Sequence, residues 1–288
     1  MEYMRFFRDT IMKRQSCRKF LDEEIGIEEL VEVSRVYDSL DRLIPEIKTE
    51  IKFADGKIGT KLGDSVGYNG YSIQAPQYII LMSEVKEGYL ENAGYLAQAM
   101  TLKLTDQGIA ACWLTVNDSD RVKAAADLDI DLEVVCVIGL GYRDKETKEI
   151  RLDIVSPSNV SMTKREMHAA PKISLDSLLF DKKYGKAFNK EELYTELEDA
   201  LLAISHAQSF FNRQPYRVIV GDSAVYLVGI EDEMTGEKDM HLNYGIVMFN
   251  FVAVLGSLRA EAPKWSFAAP ETDLELPEDV RYVAKCKI

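Results

Sequence analysis

Two short segments of the sequence combine residue types that could bind an anion or another polar ligand. The first, R-Q-S-C-R-K-F, occupies residues 14–20 and places two arginines and a serine at alternate positions. Arginine presents a planar fork of N–H donors that suits phosphate better than the point charge of lysine. The second, S-F-F-N-R-Q-P-Y-R at residues 209–217, contains the asparagine and proline that are typical of a tight turn. Taken alone, each is more typical of an ordinary solvated helix end or turn.

A third motif, G-D-S-V-G at residues 63–67, formally matches the turn that carries the serine nucleophile of many hydrolases. That mechanism requires a buried strand before the serine and a helix after it, whereas here glycine-rich polar sequence lies on both sides. No triad pattern surrounds His168, His206 or His241. A serine hydrolase using Ser65 is therefore a less favoured alternative.

Other motifs for metal ions and dinucleotides are incomplete. The acidic run D-L-D-I-D-L-E at residues 127–133 lacks the glycine and the terminal glutamate spacing of a calcium loop. After a buried strand, G-L-G-Y-R-D places Asp144 where a dinucleotide-binding turn needs glycine. The four cysteines include no C-x-x-C pair, so neither a zinc site nor a disulfide framework is indicated. We therefore predict no metal ion.

The composition excludes several classes of protein. Lysine and arginine number 35 against 48 aspartate and glutamate residues, and the resulting net charge of −13 opposes non-specific binding to nucleic acid or anionic membranes. With 288 residues, 47% of them hydrophobic, the chain can bury one large core or two smaller ones. The first residues lack a signal-peptide pattern, and the cysteine usage fits a reducing compartment, so we expect a cytoplasmic protein.

One uncharged stretch, residues 241–258, approaches the length that spans a bilayer. It contains His241, Asn243 and Asn250, which would be costly against lipid. A buried core helix is therefore predicted rather than a membrane span.

The hydrophobic pattern predicts alternating helices and strands that would position these segments. A first helix leads into the basic segment within residues 1–20, and the predicted helices that follow are 27–50, 88–108, 119–127, 190–208 and 241–260. The predicted strands are 75–84, 109–116, 133–143, 217–220 and 225–230, with an extended stretch at 264–269. Residues 52–74 are predicted to form a long loop or loose hairpin, and residues 151–176 a loop.

The second part of the chain repeats the first in degraded form. L-E-N-A-G-Y-L-A-Q-A-M at residues 90–100 matches H-L-N-Y-G-I-V-M-F-N-F at residues 241–251. Trp113 and Trp265 then follow at similar distances, and both are predicted to pack in the core. A single match of this kind could arise by chance.

Two further matches occur in the same order. A-P-Q-Y-I-I-L at residues 75–81 matches Q-P-Y-R-V-I-V at residues 214–220, and K-K-Y-G-K-A-F at residues 182–188 is a weakened copy of residues 14–20. Four matches in order predict an internal duplication. The predicted domains are a first half at residues 1–180 and a second, degenerate half at residues 181–288.

The ordered motifs resemble those of the flavin-dependent nitroreductase superfamily. Residues 14–20 resemble its opening signature, an Arg-x-Ser-x-basic-x-Phe run after the first helix, and residues 209–217 resemble its Ser-x-x-Asn-x-Gln-Pro-aromatic turn. Residues 137–143 and 172–179 are similar to later segments of the family. The resemblance implies an α+β fold, a three-layer α/β/α sandwich with mixed, largely antiparallel sheets, here as two degenerate repeats in one chain.

The same resemblance implies that the chain binds FMN. The residues it assigns to the cofactor are Arg14, Gln15, Ser16, Arg18, Leu114, Thr115, Lys172, Ser209, Asn212 and Gln214. Arg14, Ser16 and Lys172 would serve the phosphate end, although the family usually has arginine at the position of Lys172. Arg18 would lie near N1 and O2 of the flavin, where a cation favours the anionic reduced form.

The remaining residues are assigned to the flavin ring and to the second signature. Backbone groups of Leu114 and Thr115 would face the ring edge near N5. Ser209 and Asn212 would reach the flavin from the other half of the chain, whereas Gln214 could serve the turn instead. Because the flavin carries out the electron chemistry, no catalytic side chain is predicted.

The distribution of the two signatures over the chain is unusual for this superfamily. Ordinary members form intertwined homodimers and build each FMN site from both subunits. Here the basic signature is intact only in the first half and the asparagine turn only in the second. This predicts a fused pseudo-dimer with one FMN per chain, because Tyr184 replaces the serine in the weakened copy. A monomer and a homodimer are both compatible with the pattern.

The function that the resemblance implies is an oxidoreductase that passes hydride from NAD(P)H to an acceptor such as a nitroaromatic or a quinone. The mechanism would be ping-pong, and residues 52–74 are expected to influence the choice of acceptor. A flavin- or ligand-binding protein without turnover is the alternative from another class. The natural acceptor and the choice between NADH and NADPH stay open.

Overall fold

The computed structural model describes residues 6–144, 148–156, 159–166, 170–257, 259 and 261–288. These residues form two compact units, which are named here by their place in the chain. The terminal unit comprises Met1–Lys13 and Ala170–Ile288, and the central unit comprises Arg14–Ala169. The division at residues 180 and 181 concerns the sequence repeat, does not coincide with these units, and stays a prediction.

Helices and strands alternate along the described chain. The helices are α1 Ile27–Ser39, α2 Ile58–Leu62, α3 Tyr89–Asp106, α4 Ser119–Ala125, α5 Leu175–Leu178, α6 Thr195–Ser205 and α7 Glu237–Gly256. The strands are β1 Thr49–Asp55, β2 Gln77–Ser83, β3 Ala110–Leu114, β4 Glu133–Gly141, β5 Lys148–Ser156, β6 Asn159–Glu166, β7 Leu179–Asp181, β8 Tyr216–Val220, β9 Ala224–Ile230, β10 Trp265–Ser266 and β11 Val280–Lys287. Shorter turns are a π-helical turn at Phe6–Ile11 and 3₁₀ turns at Gly63–Ser65, Lys190–Glu192 and Phe210–Asn212.

The central unit is built on a four-stranded antiparallel sheet in the order β1-β2-β4-β3. Strands β2 and β4 are runs of apolar residues that are buried along almost their whole length. Helix α3 packs on this sheet and on α1, and it ends at Asp106, two residues before Gly108, whose φ of +78° prevents the helix from continuing. Strands β5 and β6 form a separate antiparallel hairpin.

The terminal unit contains a five-stranded sheet in the order β10-β11-β9-β8-β7. Only the β7–β8 pair is parallel; the other pairs are antiparallel. Helix α7 is apolar on all sides and is buried from Met240 to Phe251 except at His241, as expected for a helix in the centre of a core. Among the described residues, no helix is long and apolar enough to cross a membrane.

The α+β class with largely antiparallel sheets is confirmed, whereas three local predictions are wrong. The helix predicted at 27–50 ends at Ser39, and the loop predicted at 52–74 begins inside β1 and contains α2. Strand β1 lies at a sheet edge, where Glu50 and Lys52 can reach solvent. Its charged residues therefore lack the apolar pattern that predicts a buried strand. The loop predicted at 151–176 instead begins with the β5–β6 hairpin, whose apolar residues alternate with polar ones.

The two units contain the same order of elements. Strands β1 and β2, helix α3 and strands β3 and β4 have counterparts in β8, β9, α7, β10 and β11, with the same sheet order and antiparallel pairing. The predicted match between residues 75–81 and 214–220 is therefore wrong, because it aligns β2 with β8. The strand that precedes α7, as β2 precedes α3, is β9.

Candidate functional site

The basic segment at residues 14–20 runs along the edge of the central sheet. Ser16 pairs with Ala111 of β3 in a parallel bridge, and the amide of Cys17 donates to the Ala111 carbonyl at 2.9 Å. Phe20 then pairs with Arg143, just beyond β4, in an antiparallel bridge. The backbone of the segment is thus fixed at both ends by a buried sheet.

Three arginines interact at this segment. Arg14 is half-buried, and burial lowers the pKa of its guanidinium to about 10. The thiol of Cys112 acts in the opposite direction, and the positive charges of Arg18 and Arg143 lower the pKa of Arg14 further. Among the described residues, no carboxylate is one of the groups that act on Arg14. Like charges repel, so the arrangement suits a bound anion.

Arg143 is the residue that sequence reasoning missed. Its Nη2 atom donates to the backbone carbonyls of Gln15 at 3.3 Å and Ser16 at 3.4 Å. The only signal in the sequence was an arginine directly after the Gly-Tyr that ends a buried strand. That signal is weak without knowledge that residues 14–20 return to the same edge of the sheet.

Leu114 and Thr115 lie at the end of β3, in the same unit as the arginines. Leu114 is buried and pairs with Val137 of β4. The carbonyl of Thr115 accepts a hydrogen bond from the amide of Gly67 at 2.8 Å. Gly67 has a φ of +95°, and a Cβ atom there would lie 2.1 Å from the carbonyl oxygen of Tyr71. Only glycine lets the loop approach in this way.

The loop attached to Thr115 ends in a tight turn. The amide of Tyr68 donates to the carbonyl of Tyr71 at 2.9 Å, and the amide of Tyr71 donates back at 2.8 Å. Asn69 and Gly70 form the tip, both with positive φ, as two-residue hairpin turns require. This segment, Tyr68–Tyr71, is called the tyrosine hairpin below.

Ser65 lacks the setting of a hydrolase nucleophile. Its side chain is fully buried, and its hydroxyl donates to the carbonyl of Leu62. It is preceded by helix α2 and a 3₁₀ turn, not by a strand. His168 lies outside the described residues, and His206 and His241 belong to the terminal unit. The strand–turn–helix geometry of the hydrolase alternative is not found.

The second signature forms a hydrogen-bonded network in the terminal unit. Lys172 donates from Nζ to the carbonyl of Ala207 at 2.8 Å and to Oδ1 of Asn212 at 3.0 Å. The Asn212 side chain also donates from Nδ2 to the carbonyl of Pro171 at 2.6 Å. Lys172 also helps to lower the pKa of His206, although burial is the main cause.

Ser209 and Gln214 complete this network. The backbone amide of Gln214 donates to the Ser209 hydroxyl at 3.0 Å, and its side-chain oxygen accepts from the amide of Ile173 at 2.8 Å. Phe211, Asn212 and Gln214 all have positive φ, a conformation that is costly unless the surroundings impose it. Gln214 thus stabilises the turn, the role that the sequence left open.

The sequence matches the family described as "Putative TM nitroreductase" over residues 7–254. The chain belongs to this nitroreductase family. The match spans the basic segment, helix α3, the second signature and helix α7. A comparison with curated proteins found no match.

Solved structures of nitroreductases resemble this one. A Thermotoga maritima protein described as a putative nitroreductase is 16% identical, with a TM-score of 0.58 over 100% of this chain and 95% of that chain. An FMN-dependent nitroreductase from Clostridium difficile is 18% identical, with a TM-score of 0.42 over 48% of this chain and 88% of that chain. The TM-score of the first comparison shows a shared fold along the whole chain. The TM-score of the second is too low to establish a shared fold.

The nitroreductase signature and its weakened copy differ in electrostatics. In the copy, Lys182 pairs with Asp222 at 2.7 Å, and Lys183 pairs with Glu275 at 2.8 Å. Lys186 pairs with Asp181. These cations are matched by carboxylates, so the copy is poorly suited to a phosphate, whereas among the described residues the positive charges of Arg18 and Arg143 lower the pKa of Arg14 and no carboxylate raises it.

Trp265 is buried, as the sequence predicted, whereas Trp113 is only half-buried. The indole N–H of Trp113 donates to the hydroxyl of Thr101 on α3 at 2.9 Å. The indole N–H of Trp265 donates to the carbonyl of Met248 on α7 at 3.0 Å. Each ring is thus fixed against the central helix of its own unit. Within the described residues, no cluster of histidine, cysteine and acidic side chains could hold a metal ion.

Proposed function

We propose that this nitroreductase-family protein is an FMN-dependent oxidoreductase that passes hydride from NAD(P)H to a small-molecule acceptor, with nitroaromatics and quinones as the expected classes. Family membership supports an oxidoreductase. The observation that carries the cofactor assignment is that Arg143 holds the backbone of Gln15 and Ser16 beside Arg14, an arrangement of cations that fits the phosphate of FMN. The cysteine usage supports a cytoplasmic location.

The protein would bind and orient the cofactor, and the flavin, when bound, would supply the hydride chemistry. Arg14 and Ser16 would bind the phosphate end, with Lys172 as a further cation. Arg18 would place its charge near the pyrimidine side of the ring. No side chain is assigned a catalytic proton transfer, because the proposed ping-pong exchange at the ring requires none. The reductant would leave before the acceptor binds.

Ser209 and Asn212 would belong to the same FMN site, as parts of a fused pseudo-dimer. Two observations support a duplicated chain: the units share one order of elements, and Asn92 and Asn243 make equivalent contacts. Asn92 accepts from the amide of Ile44 before β1, and Asn243 accepts from the amide of Phe210 before β8. Both asparagines therefore fix the chain that leads into the first strand of their repeat.

We propose that the two sequence halves pair within one chain, and the network around Lys172 joins residues on either side of the predicted boundary. By sequence Lys172 belongs to the first half and Asn212 to the second, yet they form a 3.0 Å hydrogen bond in one compact unit. Strand β7, which crosses the predicted boundary, pairs with β8 of the second half. We propose one FMN per chain, because the lysines of the weakened copy are already paired with carboxylates.

The tyrosine hairpin is the segment that we propose for acceptor choice. It is tethered to Thr115, which would lie near the reactive edge of the ring, and Asn117 also holds the preceding loop through the carbonyls of Asp64 and Gly67. Two aromatic side chains on a rigid turn are well suited to contact planar acceptors.

A visible spectrum of the purified protein tests the proposed function. We expect oxidised flavin bands that bleach anaerobically when NADH or NADPH is added. A bound flavin that dithionite reduces, but that stays oxidised with both NADH and NADPH, would indicate a binding protein without turnover. A colourless protein that refuses added FMN would contradict the proposal altogether.

Replacing Arg18 by alanine should lower the midpoint potential of the bound flavin. A cation near N1 and O2 favours the reduced form, which carries negative charge there, so its removal makes reduction harder. The potential is measured by reductive titration against reference dyes, with Arg121→Ala as the control, because Arg121 lies on α4 and pairs with Asp64. An unchanged potential with FMN still bound would show that Arg18 does not act on the ring.

A further inference from the structure

We propose that Arg143 is a second arginine of the phosphate subsite, a positioning residue that fixes the backbone of Gln15 and Ser16 and adds its charge to that of Arg14. The assignment of the anion as the phosphate of FMN rests on the proposed function. The geometry of the cluster itself does not depend on that function.

The first observation is the way in which Arg143 is held. It lies two residues after the end of β4, and on either side of it the backbone pairs with the end of the basic segment and the residue that follows: the amide of Leu21 donates to the Tyr142 carbonyl at 2.8 Å, and the amide of Asp144 donates to the Lys19 carbonyl at 3.2 Å. The position of Arg143 is thus set by a sheet-like pairing. Its side chain starts from a rigid point at the end of a buried strand.

The second observation is the contact made by the guanidinium. One nitrogen of Arg143 lies within hydrogen-bond distance of two consecutive carbonyls, those of Gln15 and Ser16. Together with the bond from Cys17 to Ala111, this fixes both peptide groups on either side of Ser16. The backbone position of Ser16, from which its hydroxyl projects, therefore depends on Arg143.

The third observation is the charge balance. Among the described residues, Arg143 and Arg18 are the cations whose positive charges act on Arg14, and no carboxylate acts on it. Packing these like charges together costs free energy in the absence of an anion. A phosphate dianion would relieve this repulsion, whereas an uncharged ligand would not.

A comparison of FMN with riboflavin isolates the phosphate. With flavin removed from the full chain, the affinities of both ligands are measured by flavin fluorescence for wild type, Arg143→Met and Arg143→Lys. Arg121→Met serves as the matched control on the same unit. We expect Arg143→Met to weaken FMN by about tenfold or more, the scale of a charged hydrogen bond, and to leave riboflavin nearly unchanged. Arg143→Lys should lie between wild type and Arg143→Met.

Several outcomes would overturn the proposal. Equal losses of FMN and riboflavin would show that Arg143 only supports the local backbone, and an Arg143→Met protein that behaves like Arg121→Met would show no role at all. If Arg143→Met fails to fold, Arg143→Lys still decides, because the proposal requires it to keep the preference for FMN in part.

A thermal melt with inorganic phosphate or pyrophosphate separates the anion subsite from the proposed function. If wild type binds neither FMN nor riboflavin, the proposed function fails, but stabilisation of wild type by these anions that is reduced in Arg143→Lys and lost in Arg143→Met would uphold the anion subsite. If neither anion raises the melting temperature of flavin-free wild type, the inference about Arg143 is wrong.

Discussion

Replacing Arg14 by alanine should weaken FMN binding by about 1.5–3 kcal/mol, the range for a hydrogen bond that involves a charged group. This corresponds to roughly a 10- to 150-fold rise in the dissociation constant. The physical reason is that Arg14 is half-buried among other cations, so a phosphate there would meet a partly desolvated guanidinium. Titration of the flavin-free protein with FMN, followed by fluorescence, measures the effect.

The control for this prediction must separate binding from folding. Arg14→Ala removes a charge that Arg18 and Arg143 repel, so we expect the flavin-free variant to melt no lower than wild type. Arg14→Lys should recover part of the affinity, since a lysine keeps the charge but loses the planar fork. An FMN titration of Arg14→Ala that superimposes on wild type would remove Arg14 from the site.

The parts of the fold that the sequence predicted are those whose burial is uniform. Strands β2 and β4 and helices α3 and α7 are apolar over long runs, and periodicity is a strong signal there. Strand β1 was missed because a sheet edge tolerates charged residues that normally mark a loop. Edge position is a property of the assembled sheet, so local sequence does not reveal it.

The same reasoning applies to the site. Residues 14–20 were found because arginine and serine types at close spacing carry their own chemical meaning. Arg143 was missed because its contacts with Gln15 and Ser16 connect residues more than a hundred positions apart. Long-range contacts of this kind follow from the pairing of strands and loops, and no local motif encodes them.

The repeat shows how a correct type of element can be aligned wrongly. Residues 75–81 and 214–220 are both apolar strands after a proline, which made them look equivalent. Their hydrogen-bonded neighbours differ: β2 pairs with β1 and β4, while β8 pairs with β7 and β9. The order of strands in the two sheets identifies β9 as the counterpart of β2. Sequence similarity this weak does not determine that order.

The largest effect on FMN binding is expected when one residue of either signature is replaced, and mixing the two variant proteins then tests whether the signatures pair within one chain. If the halves of one chain build a single FMN site, Arg14→Ala and Asn212→Ala should each cripple that site, because each signature is intact in only one half of the sequence. Mixing the two variant proteins should then restore no FMN binding, since exchange between chains cannot bring intact signatures together. The measurement is the FMN retained after mixing and gel filtration, with a mixture of wild type and Asn212→Ala as the reference.

Pairing of signatures between chains predicts a different result. In a mixed dimer, the intact Arg14 of one chain would meet the intact Asn212 of the other, and partial FMN binding would return. The stoichiometry is an independent measurement: one FMN per chain is expected, because Lys182, Lys183 and Lys186 of the copied segment are already paired with carboxylates. Recovery on mixing, or two flavins per chain, would contradict the pseudo-dimer and leave the assignment as a flavoenzyme intact.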